Sequence, residues 1–221
     1  MKLSGIKAIL FDVYGTLIST GSGSVNAVRR ILEINGSDID PAAFYAEWKK
    51  LHKQNMVRTF QPEWEIFADD LRELYERHNI AGDYRQNVAI MLDSLYDRAA
   101  FPEVKDVLDS LRGRYELIIA SNTDTEPLMQ NLTLNGLEFD KIFTSEQLWC
   151  YKPDVRFYQK ILNTTGYTAD EVIFVGDSPD DDVAGPKQLG IKTVLIDRKS
   201  KNTDFGQDYT ITDLNGLKEI L

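Results

Sequence analysis

Lys7-Ala8-Ile9-Leu10-Phe11-Asp12-Val13-Tyr14-Gly15-Thr16-Leu17 is the stretch that decides the fold. A short, near-continuous apolar run suits a strand covered on both faces. It stops at a carboxylate, and a glycine-containing turn follows. The run lacks a small-residue cleavage site, so it reads as a strand and not as a signal peptide. The protein is accordingly expected to be cytoplasmic.

Beyond that strand the pattern changes. Gly21-Ser22-Gly23-Ser24 reads as a flexible link. Apolar residues then recur at helical spacing: Val25, Val28, Ile31 and Leu32; Phe44, Trp48 and Leu51; Trp64, Phe67, Leu71, Leu74 and Tyr75; Val88, Met91, Leu92 and Leu95. These stripes predict four amphipathic helices and no strand before Arg98. After Ala99, strands and helices alternate. Strands are expected at 117–120, 141–144, 172–175, 192–196 and 209–211. Helices are expected from Pro102 to about Gly113, and at 125–135, 154–165, 181–189 and 214–221. Alternation of this kind predicts right-handed crossovers and a mostly parallel sheet. The expected fold is α/β: a Rossmann-like three-layer core over residues 1–18 and 99–221, with a helical bundle cap inserted at 19–98.

The chain of 221 residues carries a formal charge of −10. That charge argues against a phosphate-backbone-binding surface, so no nucleic-acid partner is expected. No apolar stretch of 18 residues predicts a membrane span. A small anionic substrate remains compatible, because a local pocket can be positive on an acidic protein. The expected assembly is a monomer or homodimer. The single cysteine, Cys150 between Trp149 and Tyr151, reads as a small packing residue.

In open parallel sheets, ligands bind beyond the carboxyl ends of the strands. There this sequence offers Asp12, then Ser121-Asn122, then the Lys152 loop, then Asp177. A carboxylate can attack an electrophile and form a covalent intermediate. A phosphate ester repels such a carboxylate, so a cation is needed. Mg²⁺ takes oxygen ligands, commonly one or two carboxylates; Asp12 and Asp177 supply them. Lys152 adds a fixed positive charge. Asp182 is a candidate second support, orienting Lys152 or a metal-bound water, and Ser178 lies in the same loop. Tyr14, Gly15, Thr16 and Asn122 are candidate substrate contacts.

Four segments in this order resemble the haloacid dehalogenase superfamily of hydrolases: Phe11-Asp12-Val13-Tyr14-Gly15-Thr16-Leu17, Ala120-Ser121-Asn122-Thr123, Tyr151-Lys152-Pro153-Asp154, and Val175-Gly176-Asp177-Ser178 through Asp182-Val183-Ala184-Gly185. The resemblance implies Asp12 as nucleophile. It implies Mg²⁺ held by Asp12, Asp177 and the Tyr14 backbone carbonyl, Ser121 on the transferring group, and Lys152 positioning Asp12. Tyr14 departs from the pattern of the phosphatases, which usually carry a second Asp there as acid and base. Tyrosine at that position resembles the 2-haloacid dehalogenase branch, whose halide leaves without a proton. Gly176-Asp177 departs the other way, since that branch works without metal and usually lacks this acid. Those dehalogenases clamp the substrate carboxylate with a cap arginine in a Trp-Arg context; the nearest match here is Trp48-Lys49, and lysine lacks the bidentate fork. Lys49, Lys53, Asn55 and Arg58 are candidate cap residues for the pocket. The favoured reading is a Mg²⁺-dependent phosphatase for a small phosphorylated metabolite. A metal-independent 2-haloacid dehalogenase is the alternative, and a non-catalytic binding protein on the same fold is the third.

Overall fold

The computed structural model describes residues 3–56, 59–201 and 203–221. Two compact units divide the chain. The first comprises the chain up to Ser19, Ala99–Thr123 and Leu132–Leu221; the second comprises Thr20–Arg98 and Asp124–Asn131. The second unit thus takes in Asp124–Asn131, a segment that the sequence pattern alone assigns to the core.

The first unit is built on β1 (Ala8–Phe11), β2 (Glu116–Ser121), β3 (Lys141–Thr144), β4 (Val172–Gly176), β5 (Lys192–Ile196) and β6 (Tyr209–Ile211). They form one sheet in the order β3-β2-β1-β4-β5-β6, and every pairing is parallel. The order reverses between β1 and β4, which opens a crevice at their carboxyl ends. Successive side chains on a strand point to opposite faces. On one face Ala8, Leu10, Ile118, Ala120 and Phe174 pack with Phe157, Tyr158 and Ile161 of a helix over Val155–Thr165. Ile9, Phe11, Leu117, Ile119, Ile173 and Val175 point the other way and are equally buried. Both faces are therefore covered, which is why these strands read as continuous apolar runs. Each large side chain so buried contributes roughly 1.5–3 kcal/mol.

The second unit holds α1 (Gly23–Ile34), α2 (Pro41–Met56), α3 (Glu63–His78) and α4 (Tyr84–Asp93). The apolar stripes expected from the sequence form its core, from Val28 and Ile31 through Phe44, Trp48, Phe67, Leu71 and Leu74 to Met91. The N-terminus of α3 is capped from a distance: Asp124 accepts hydrogen bonds from the backbone N–H groups of Glu63 at 3.0 Å and Trp64 at 3.4 Å. Two carboxylate oxygens thereby satisfy two of the four orphan donors of that helix.

Several expectations need correction. Gly23 and Ser24 belong to the first turn of α1 and not to a flexible link. The helix expected from Pro102 runs over Val104–Leu111. The helix expected at 181–189 is replaced by a π-helical turn over Pro179–Ala184 and a short α-turn over Gly185–Lys187. Among the described residues no helix is long and apolar enough to cross a membrane.

Candidate active site

β1 ends at Phe11, and the next residue, Asp12, is 8% exposed. Its backbone N–H donates to the carbonyl of Val175 on β4 at 2.9 Å, carrying the strand pairing one residue further. The chain then closes into a tight turn. The Val13 carbonyl accepts from the N–H groups of Leu17 at 2.8 Å and Ile18 at 2.9 Å. Gly15 donates to the carbonyl of Ile18 at 2.8 Å with φ +98°, a left-handed conformation that favours glycine. A Cβ at Gly15 would stand 2.4 Å from Oδ2 of Asp177. Space and dihedral both select glycine here. Tyr14 is half-buried and bridges to Ile18. Thr16 is fully buried, and among the described residues its Oγ1 has no hydrogen-bond partner.

Lys152 is buried, and its Nζ donates to Oδ1 of Asp12 at 2.9 Å and Oδ1 of Asp182 at 2.7 Å. The loop that carries it is held by Asn122. Asn122 Nδ2 donates to the Lys152 carbonyl at 3.0 Å, and the Lys152 N–H donates to Asn122 Oδ1 at 2.8 Å. Both ends of the Asn122 amide are thus engaged by the backbone of one residue. Ser121 closes β2, buried, in register with Thr144 of β3.

Asp177 follows β4 and is exposed. Asp182 reaches back from the π-helical turn: its Oδ2 accepts from the N–H of Ser178 at 2.9 Å, while Ser178 Oγ accepts from the N–H of Asp181 at 3.3 Å. Gly176 makes room for this return, since a Cβ there would lie 2.2 Å from Cγ of Asp182. Tyr158 fixes the far side of the turn by donating its hydroxyl to the Asp181 carbonyl.

Asp12, Asp177 and Asp182 therefore converge, with one oxygen from each within 4.8 Å of the others. Burial works against the charge of Lys152, but Asp12 and Asp182 outweigh it and hold the ammonium well above the usual lysine range. Burial and then the charge of Asp12 push Asp177 up to about 7. Part of Asp177 faces solvent, yet its carboxylate is crowded by the Gly15 turn. Burial raises Asp182 as well, opposed by Lys152. We take Asp182 as the ionised partner of a charged lysine, because their 2.7 Å contact is direct. Three carboxylates against one ammonium leave an excess of negative charge. The donors are all oxygen, which suits a hard divalent cation such as Mg²⁺. Both Asp182 oxygens are already occupied, so Asp12 and Asp177 are the carboxylates that fit such an ion.

The cap candidates lie in the second unit. Lys49 is exposed, its ammonium 5.2 Å from the centre of the Tyr45 ring. Lys53 is exposed, and Arg58 lies outside the described residues. Asn55 is buried; its Nδ2 donates to Oδ1 of Asp70 at 2.6 Å. The other Asp70 oxygen lies 2.7 Å from Nδ1 of His52, whose ring stacks on Trp48 with centroids 4.7 Å apart. Sequence reasoning passes over His52, Asp70 and Asp124. An aspartate inside the apolar stripe Phe67-Leu71-Leu74 is the available signal for Asp70.

A model of the family described as haloacid dehalogenase-like hydrolase matches residues 9–196. The chain is 24% identical to (S)-2-haloacid dehalogenase 4A of Burkholderia cepacia, over 99% of this chain and 94% of that protein. It is 30% identical to the pyrimidine 5'-nucleotidase PynA of Streptococcus pneumoniae, over 85% of this chain and 82% of that protein. The magnesium-bound HAD-hydrolase YfnB from Bacillus subtilis superposes with a TM-score of 0.83 at 20% identity, covering 98% of both chains. The relatives thus span two chemistries.

Proposed function

The chain belongs to the haloacid dehalogenase-like hydrolase family, and from that premise we propose that it is a Mg²⁺-dependent phosphohydrolase acting on a small phosphorylated metabolite. The observation that carries this reading is the convergence of Asp12, Asp177 and Asp182, of which Lys152 pairs with Asp12 and Asp182 and leaves Asp177, among the described residues, without a lysine contact. A site for displacing halide has no use for Asp177 beside the nucleophile. Its presence raises the cost of the ionised site unless a cation is bound.

When bound, the cation offsets the repulsion between the attacking carboxylate and the phosphate. Lys152 holds Asp12 by its Oδ1 and keeps it oriented. The Asp12 carboxylate oxygen attacks phosphorus, and the bond from phosphorus to the ester oxygen breaks. That oxygen leaves with the electron pair and takes a proton from solvent. Ser121 donates a hydrogen bond to an oxygen of the transferring group. Water then attacks the phosphorus of the aspartyl phosphate, the bond to Asp12 breaks, and phosphate departs. Tyr14 occupies the place where a carboxylate would speed both proton transfers, and its phenol is not the carboxylate acid and base that those transfers call for. Substrates with good leaving groups are therefore favoured.

A second reading rests on Tyr14 and on the full-length likeness to a haloacid dehalogenase. There the Asp12 oxygen displaces halide from carbon, and no proton is needed by the leaving group. The deciding experiment measures phosphate release from p-nitrophenyl phosphate and a panel of phosphate esters, with Mg²⁺ and with EDTA, beside halide release from 2-chloropropionate. Phosphate release abolished by EDTA supports the phosphohydrolase. Halide release that persists in EDTA, without phosphate release, replaces it with the dehalogenase.

A further inference from the structure

β5 ends at Ile196, and two residues later Arg198 turns back under the nucleophile turn. Its Nη2 donates to the Thr16 carbonyl at 2.6 Å and its Nε to the Gly15 carbonyl at 3.3 Å. Its Nη1 pairs with Oε1 of Glu103 at 2.8 Å. Its guanidinium carbon lies 3.5 Å from the centre of the Phe101 ring. One side chain thus makes four contacts, each using a different part of the planar fork. Only arginine has that geometry; lysine is a point charge on a flexible stem.

What it joins is specific. Gly15 and Thr16 belong to the turn that begins at Asp12. Phe101 and Glu103 belong to the segment by which the chain re-enters the first unit at Ala99. The outgoing and returning segments are themselves paired: Ile18 bridges Ala100, Ser19 donates to the Ala99 carbonyl at 2.9 Å, and Phe101 donates to the Leu17 carbonyl at 3.0 Å. Glu103 is only 16% and Arg198 18% exposed, so the pair is largely shielded from salt. The carbonyls of a tight turn carry partial negative charge, and a fixed cation over two of them holds the turn in one conformation.

We infer that Arg198 is a positioning residue for the reaction at Asp12: with Glu103 and Phe101 it clasps the Gly15–Thr16 turn to the root of the two segments that leave and re-enter the first unit. It acts through the backbone of the turn and not on the substrate. The inference rests on Asp12 as the reacting carboxylate, whichever bond that carboxylate attacks.

The test compares Arg198→Lys and Arg198→Gln with the parent protein, full length. Turnover is read with p-nitrophenyl phosphate and Mg²⁺ and with 2-chloropropionate. Formation of a fluoroberyllate adduct in the presence of Mg²⁺, followed by ¹⁹F NMR, gives a readout free of turnover. Expected is a fall in kcat of about tenfold or more with KM within about twofold, and a weaker fluoroberyllate adduct, in both variants. Such a split marks an interaction felt only in the transition state. Glu103→Gln should reproduce the effect more weakly, and the double variant should fall short of the sum. Unchanged kcat and adduct with a lowered Tm would make Arg198 a purely structural residue and overturn the inference. A raised KM with kcat intact would make it a substrate contact and overturn it equally. Wild-type turnover in Asp12→Asn would instead sink the reading of Asp12, a failure distinct from either.

Discussion

Asn122 and Lys152 hold each other by two hydrogen bonds, amide to main chain in both directions, at 3.0 and 2.8 Å. The lysine that reaches Asp12 is thereby fixed at its backbone before its side chain makes a contact. Replacing Asn122 with Ala frees that loop without touching Asp12. The expected result is a fall in kcat of roughly 10–100-fold, the scale of a small misplacement in an active site, with KM little changed. Steady-state kinetics decides; a rise in KM alone would make Asn122 a substrate contact instead.

Asp12→Asn removes the nucleophile and leaves its shape. Turnover should drop on the order of 10⁴-fold or more, as when other covalent nucleophiles are lost. Mass spectrometry of the quenched parent enzyme during turnover should find a covalent adduct on the peptide containing Asp12, absent in the variant.

Asp177 provides a pH signature. Its carboxyl is pushed up to about 7 by burial and by Asp12, above the ordinary value of 3.8. A carboxyl raised in the folded state binds protons that the unfolded chain has released. Its contribution to stability is therefore fully present below about pH 4, declines as pH rises, and is gone above about 7. Without metal, Tm should fall across that window. Mg²⁺ replaces the proton, so the rise in Tm on adding Mg²⁺ should grow between about pH 5 and 8. Asp177→Asn should flatten both trends; thermal melts with and without Mg²⁺ at each pH check this.

Gly15→Ala tests the crowding around that acid. The new methyl would meet Asp177 Oδ2 at 2.4 Å, and φ +98° disfavours a side chain at this position. The loss should exceed about 1 kcal/mol, and the Mg²⁺-induced rise in Tm should vanish with it. A variant that keeps the full response to Mg²⁺ would contradict the proposed donor pair.

In the second unit, Asp70 is fully buried between His52 and Asn55. Asp70→Ala leaves both partners facing a void and should cost roughly 2–3 kcal/mol, the scale of a lost charge-assisted bond. Trp48→Phe is the contrast. Among the described residues its buried Nε1 has no partner, so losing that donor offsets part of the packing lost with the smaller ring, and Tm should fall less than in Asp70→Ala. Urea melts distinguish the two.

Much of the molecule is legible in its sequence. The apolar runs of β1, β2, β4 and β5 are buried on both faces; three strand ends carry Asp12, Ser121 and Asp177, while Lys152 comes from the loop further along after β3. Period alone also finds the four helices of the second unit. The rest is hidden for physical reasons. The turn over Pro179–Ala184 winds more widely than an α-helix because it brings Asp182 back to Lys152, a tertiary demand invisible to a local pattern. Arg198 lies beyond the fifth strand end, where the same rule, carried one strand further, points. Asp124 caps a helix that starts 61 residues earlier, and no local spacing encodes such a pairing.

β1 pairs with β2 and β4, whose first partners for Ala8 are Glu116 and Val172. β1 is thus synthesised before both of its neighbours, which follow more than 100 residues later in the chain. The helices of the second unit need only partners nearby in sequence, and local contacts form fastest. Assembly should therefore run from the insertion inward, with the N-terminal strand waiting unpaired until β2 emerges. Pulse-labelling hydrogen exchange during refolding should protect the amides of α3 and α4 before those of Ile9 and Leu10; the reverse order would mean that the sheet templates the helices.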